Sequence, residues 1–153
     1  MIEKAEREKI TGFLKDRFGI EEEHLEGYHF YEGRRSVWFS TVEMDPEFFG
    51  MKKVEFPGIR ALRKINGHYK PTTFFLQLPG AHATRNLIDL GREELRELLE
   101  EGRLAKDFPG VDEGYVIITY GGDILGCGLY TRGRLKAQFP RGRTEALGLS
   151  GLY

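Results

Sequence analysis

Apolar positions along the chain alternate between helical and extended rhythms. Ile2, Ala5, Ile10, Phe13, Leu14 and Phe18 recur at the spacing of one helix face, while Glu3, Arg7, Glu8, Lys15 and Arg17 fall mostly on another. The pattern predicts a helix over residues 2–18, with Gly19 placed to end it. Tyr28 and Phe30, then Val37, Phe39 and Val42, form two short aromatic and β-branched stretches around Glu32-Gly33-Arg34-Arg35. They predict a hairpin. Residues 44–49, which include Pro46, read as a turn or linker. Val54, Phe56, Ile59, Ala61 and Ile65 predict a strand interrupted at Pro57-Gly58, the first of a barrel, with a turn at Asn66-Gly67.

Residues 72–78 carry a short helical pattern capped by Thr72 or Thr73 and stopped by Pro79-Gly80. After Leu87-Ile88-Asp89-Leu90, the helical spacing of Leu95, Leu98 and Leu99 predicts a helix over 91–102, closed by Gly102. The last third reads as a β-meander: Tyr115 to Tyr120, a Gly121-Gly122-Asp123 turn, Ile124 to Tyr130, an Arg132-Gly133 turn, then Leu135 to Phe139. No internal repeat or low-complexity tail interrupts the pattern.

Composition narrows the function classes. At 153 residues and 40% apolar, the chain can bury a proper core. Its single cysteine, Cys127, provides neither an internal disulfide nor a cysteine pair for zinc, which fits a reducing compartment and makes the cytoplasm the expected location. No run approaches the roughly 20 apolar residues of a membrane helix, so no membrane partner is expected. A charged fraction of 31% is compatible with a thermophilic source. The net charge of −1 conceals blocks of about −5, +5, −4 and +3 over residues 1–47, 48–70, 71–113 and 114–153. A polyanion would therefore have to be met by a local patch, not by the field of the whole molecule.

The sharpest local feature is residues 131–143, where Arg132, Arg134, Lys136, Arg141 and Arg143 appear with no acid among them. On a strand, Arg134, Lys136 and Gln138 share one face and Leu135, Ala137 and Phe139 the other. One face is buried and the other is basic, a surface able to follow a phosphate backbone. The second basic stretch holds Lys52, Lys53, Arg60, Arg63, Lys64 and Lys70, and it adds to the first if barrel closure brings the two together. Solvated surface cations are the plain alternative. Tyr69, Tyr130 and Phe139 could stack on unpaired bases or lie in the core.

The run Gly114-Tyr115-Val116-Ile117-Ile118-Thr119-Tyr120-Gly121-Gly122-Asp123-Ile124-Leu125-Gly126-Cys127-Gly128 resembles the end of PUA domains, in which two strands around a polar turn finish in Gly-x-Gly and close a small barrel. Gly133-Arg134-Leu135-Lys136 and Phe139-Pro140-Arg141 are similar to the tail of the PUA-like domain appended to RsmF-type Nop/Sun RNA methyltransferases. The likeness is loose over residues 27–143 and good over 114–141. It implies an α+β fold: a PUA-like β-barrel of residues 51–153 with flanking helices, joined to a small N-terminal α/β subdomain of residues 1–50. It also implies structured RNA, ribosomal or transfer, as the partner. The contacts would come from Arg132, Arg134, Lys136, Arg141 and Arg143, with Arg60, Arg63, Lys64 and Lys70 alongside.

Catalysis finds little support in the sequence. The length leaves no room for an S-adenosylmethionine domain of Rossmann type, and no phosphate loop occurs. Gly126-Cys127-Gly128 leads into a strand and lacks the third glycine of a dinucleotide fingerprint. Cys127 reads as a small buried residue, and His24, His29, His68 and His82 lack metal-binding spacing. Glu21, Glu22, Glu23 and Glu26 read as a cation site or a solvated turn, and Trp38 as core or partner contact. The expected protein is a non-catalytic RNA binder without cofactor or metal, working in RNA modification or ribosome biogenesis, with an RNA-modifying enzyme possible in trans. Two other readings stay open: an adaptor docking through its N-terminal amphipathic helix, and an enzyme holding a nucleotide-like ligand in the barrel mouth.

Overall fold

The computed structural model describes residues 3–43, 58–140 and 147. Ile2, the 44–49 linker, Lys52, Lys53, Val54, Phe56, Pro57, Arg141 and Arg143 lie outside the described residues. Among the described residues, two five-stranded sheets and the helices α1 (Arg7–Phe18), α2 (Thr73–Leu76) and α3 (Arg92–Glu101) make a mixed α+β fold.

The first sheet has the order β1 (Glu3–Lys4), β2 (His29–Glu32), β3 (Ser36–Ser40), β4 (Ile59–Ile65) and β5 (His68–Pro71). Every pairing in it is antiparallel. The β2–β3 hairpin and the Asn66-Gly67 turn stand where their residues predict them. Asn66 and Gly67 both take positive φ, 50° and 79°, as a two-residue turn matched to strand twist requires. The predicted first helix is shorter at its start: α1 spans Arg7–Phe18. Glu3 and Lys4 pair instead with Glu32 and Tyr31, and the Ala5 amide donates to the Phe30 carbonyl at 3.0 Å. Ladder bonds to an adjacent strand edge replace a first helical turn that would carry unpaired amides.

β4 pairs with β3, Phe39 opposite Ile59, and β5 pairs with β4, so the N-terminal sheet continues to Pro71. The division expected near residue 50 falls within this sheet, between β3 and β4.

The second sheet lies within the last half of the chain. Its order is β6 (Leu87–Asp89), β8 (Gly114–Tyr120), β9 (Asp123–Thr131), β10 (Arg134–Ala137) and β7 (Arg103–Ala105). β6 runs parallel to β8, and the remaining pairs are antiparallel. Among the described residues the sheet is open, with β6 and β7 as its edges. α3 (Arg92–Glu101) follows its predicted span, and Gly102 closes it at φ 78°.

Strand alternation divides the apolar side chains of the second sheet into two cores. Val116, Ile118, Tyr130 and Leu135 face Leu95 and Leu98 of α3, together with Leu147. Ile117 and Cys127 join the opposite core, with Ile10, Leu14 and Phe18 of α1 and Phe30, Phe39, Ala61 and Leu62 of the first sheet. The apolar face of α1 is thus occupied by this chain's own core. An adaptor using that face would have to expose Ile10, Leu14 and Phe18, each at most 1% accessible. Phe13 packs edge-on against Tyr69.

Polar ties fix the seam between the two halves. Arg17 donates from Nε to the Tyr115 carbonyl at 2.7 Å and from its terminal nitrogen to the Asp112 carbonyl at 2.8 Å. Asn86 donates to the Arg17 carbonyl at 2.6 Å, and its side-chain oxygen accepts the Asp112 amide at 2.9 Å. These bonds satisfy helix-end and loop groups that the seam would otherwise desolvate.

Candidate nucleic-acid interface

α2 (Thr73–Leu76) sits where the two sheets meet beside β4 and β9. Thr72 caps it, its hydroxyl accepting the Phe75 amide at 3.2 Å and donating to the Arg60 carbonyl at 2.7 Å. Phe75 and Leu76 are fully buried, which anchors the turn from below. Gly126 permits the close approach on the β9 side: a Cβ there would lie 2.6 Å from both the Thr73 hydroxyl and the Phe139 ring.

An open cleft of about 580 Å³ lies beside α2, with Arg60, Arg63 and Lys70 on one wall and Gln138 and Phe139 on the other. Lys70 spans it, donating to the Gln138 side chain at 2.7 Å. The midpoint of the chain and the end of its last strand therefore meet. Arg60, Arg63 and Lys70 come from the segment predicted to be basic, Gln138 from the tail that follows β10. No carboxylate lines this cleft among the described residues. A second, larger cleft of about 780 Å³ lies between α1, the β4–β5 turn and β8, but it mixes Lys9 and Arg17 with Glu8, Asp16 and Glu113. Of these two clefts, the smaller has charge of a single sign among the described residues.

Lys136 and Arg134 are exposed on β10. Alternation puts them on the face that ends in Gln138, whose amide continues the ladder by donating to the Cys127 carbonyl at 2.9 Å. Lys136 stands opposite Leu129 and Arg103, which adds a cation that the sequence pattern did not single out. Tyr115 stands opposite Leu129 in the same row, and Lys70 Nζ lies 5.9 Å from the centre of its ring. Burial, then the neighbouring Cys127, holds the Tyr115 hydroxyl above its ordinary pKa against the opposing charge of Arg63, so the ring stays neutral in this surface.

Other predicted contacts are placed differently. Lys64 forms an ion pair with Glu32 at 2.7 Å and donates to the Gly33 carbonyl at 3.1 Å, so its charge is already matched. Arg132 occupies the β9–β10 turn at φ 51°, and its amide donates to Glu113 at 3.1 Å. Asp107 lies against the neighbouring Gly133. Two acids distant in sequence thus border the turn end of a run that contains none. Arg60 turns toward Trp38, its guanidinium 5.0 Å from the ring centre.

The aromatics sort clearly. Tyr130 is a core residue whose hydroxyl accepts the Phe108 amide at 2.9 Å, and Tyr69 packs on Phe13. Phe139 is half-buried in the cleft wall. Among the described residues the exposed aromatic ring is Phe74, 57% accessible at the cleft edge, which the apolar run Phe74-Phe75-Leu76 concealed in the sequence.

Cys127 is fully buried, and burial pushes its thiol up to about pKa 12, the reverse of what a nucleophile needs. Among the described residues no group of three or more His, Cys, Asp or Glu could hold a metal ion. His24 and His82 stack at 3.7 Å, a contact between segments that spacing alone could not reveal.

The described residues thus form a mixed α+β fold with a close crossing at Gly126 and a cation-lined cleft beside it. Residues 85–144 match the family model described as the methyltransferase RsmF PUA domain, and the chain carries a PUA-like domain resembling that one. The match takes in the whole second sheet with α3, and it is to the PUA domain, not to a methyltransferase catalytic domain. No curated protein matches the chain.

Proposed function

We propose that this protein binds structured RNA, ribosomal or transfer, without catalysing a reaction, and serves RNA modification or ribosome biogenesis in the cytoplasm beside an RNA-modifying enzyme supplied in trans. The observation that carries the reading is the meeting of Arg60, Arg63 and Lys70 with the end of β10 around a cleft that no carboxylate among the described residues lines. Phosphates satisfy such a set, and affinity then comes from cations facing the backbone. Arg134 and Lys136 extend the surface along β10, while Lys64, paired with Glu32, contributes little. The likeness of residues 85–144 to a methyltransferase PUA domain supports RNA as the polyanion.

Fluorescence anisotropy with a labelled ribosomal or transfer RNA hairpin tests the reading. Arg60→Ala with Arg63→Ala should weaken binding to different hairpins alike, because phosphate contacts carry no sequence information. Lys15→Ala, an exposed residue of α1 paired with Glu21, should leave affinity unchanged. Equal losses from both variants, or none from the first, would count against the cleft.

A further inference from the structure

We infer that the cleft beside α2 receives one unpaired nucleotide of the RNA, with its base on the exposed ring of Phe74 and its phosphate on Arg63 and Lys70. The inference rests on the RNA-binding reading and adds what kind of RNA feature is held. A phenylalanine ring 57% accessible gives up favourable burial, and here the cause is local. Phe75 and Leu76 take the two inward positions of the short α2, Thr73 is pinned against β9 where Gly126 leaves room, and Phe74 is left pointing outward. The backbone that carries the ring is thus fixed by the burial of its neighbours, which lowers the ordering cost of a contact there. Ile59, 52% accessible, extends the apolar surface within the same cleft.

Among the described residues the lining therefore combines a flat apolar surface with three cations and no acid, and a volume of about 580 Å³ lies within the range of about 300–1,000 Å³ usual for small-ligand sites. A nucleotide has this composition, a flat ring joined to an anion. Bases inside a duplex have both faces covered by their neighbours, and A-form RNA offers proteins phosphates and sugars in preference to base faces. A ring set among cations consequently favours a base that has left its stack, in a loop, bulge or single strand.

The test compares a hairpin carrying one unpaired 2-aminopurine with a fully paired duplex of equal length, each bound to the wild-type protein, Phe74→Ala and Phe74→Trp. Phe74→Ala should weaken hairpin binding about 5- to 150-fold, the range for loss of one stacked base, leave duplex binding unchanged and leave the salt dependence of hairpin binding intact. The 2-aminopurine emission should be quenched on the wild-type protein and on Phe74→Trp, but not on Phe74→Ala. Equal affinity of Phe74→Ala and wild type for the hairpin, or quenching that survives the alanine, overturns the base site while leaving the phosphate surface standing. Equal losses on hairpin and duplex overturn it too, since stacking cannot act on a duplex without a free base. If wild type binds neither RNA, the RNA-binding reading falls and the base site with it.

Discussion

Gly126→Ala should destabilise the protein and damage the cleft at once, while the same chemical change at Gly12 should stabilise it. At Gly126 the added methyl carbon would lie 2.6 Å from the Thr73 hydroxyl and 2.6 Å from the Phe139 ring, inside any real carbon contact, so α2 or the ring must move. Overpacking of this kind costs about 1–3 kcal/mol. For a chain of this size that corresponds to a melting temperature lower by about 2–12 °C. Gly12 lies inside α1 with nothing within 4 Å of its would-be Cβ, so alanine there relieves the entropy cost of a helical glycine and should add about 0.5–1 kcal/mol. Urea unfolding followed by circular dichroism reads both, as opposite shifts in midpoint at an unchanged slope. Because Thr73 and Phe139 border the cation cleft, Gly126→Ala should also weaken RNA binding under conditions where the variant is folded. A Gly126→Ala midpoint equal to wild type would refute the packing argument, and with it the account of how α2 is fixed.

Three further outcomes follow from particular contacts. Arg17→Ala removes two charge-assisted bonds, one to the half-buried Tyr115 carbonyl and one to the exposed Asp112 carbonyl; a loss of about 1.5–3 kcal/mol in urea unfolding is expected, and a loss below about 0.5 would show that the seam does not depend on it. Cys127 should resist a thiol reagent such as dithionitrobenzoate at pH 8 in the native protein and react fully in denaturant; rapid native labelling would contradict its burial. The hydrogen bond from Lys106, then that from the Gly91 amide, lowers the pKa of Glu94 at the start of α3. A depressed carboxylate stabilises the fold above its unfolded pKa, and that contribution disappears as pH falls through the folded value. NMR titration should show Glu94 titrating below an ordinary glutamate and moving upward in Lys106→Met; an unmoved value would detach the two.

Much of the fold is legible in the residues, for local reasons. Asn66-Gly67, the Thr72 cap, the leucine spacing of α3 and the alternation through β8, β9 and β10 each act within a few positions, and each element forms where its pattern predicts. Pairing partners are another matter. β1 and β7 are two and three residues long, too short to carry a period, and exist through the strands beside them. Nothing local distinguishes a strand that opens a barrel from one that extends the hairpin before it, so β4 could be recognised as a strand but not assigned to its sheet.

The candidate site divides along the same line. Alternation marks Arg134 and Lys136 as exposed, and they are. The neutralisation of Lys64 by Glu32, the approach of Glu113 and Asp107 to the β9–β10 turn and the bridge from Lys70 to Gln138 link residues 19 to 68 positions apart, which no window of sequence contains. Phe74 was hidden for the opposite reason. An apolar residue within an apolar run reads as core, and only the anchoring of its two successors turns it outward.

The salt dependence of RNA affinity tests whether the cations of the cleft and of β10 meet phosphates. If Arg60, Arg63, Lys70, Arg134 and Lys136 each neutralise one phosphate, the logarithm of the association constant should fall against the logarithm of salt concentration with a slope of about −3.5 to −4.5. The Arg60→Ala/Arg63→Ala and Arg134→Ala/Lys136→Ala pairs should each make that slope shallower by about 1.4–1.8. A wild-type slope near zero, or one that neither pair changes, would contradict the assignment of this surface to RNA.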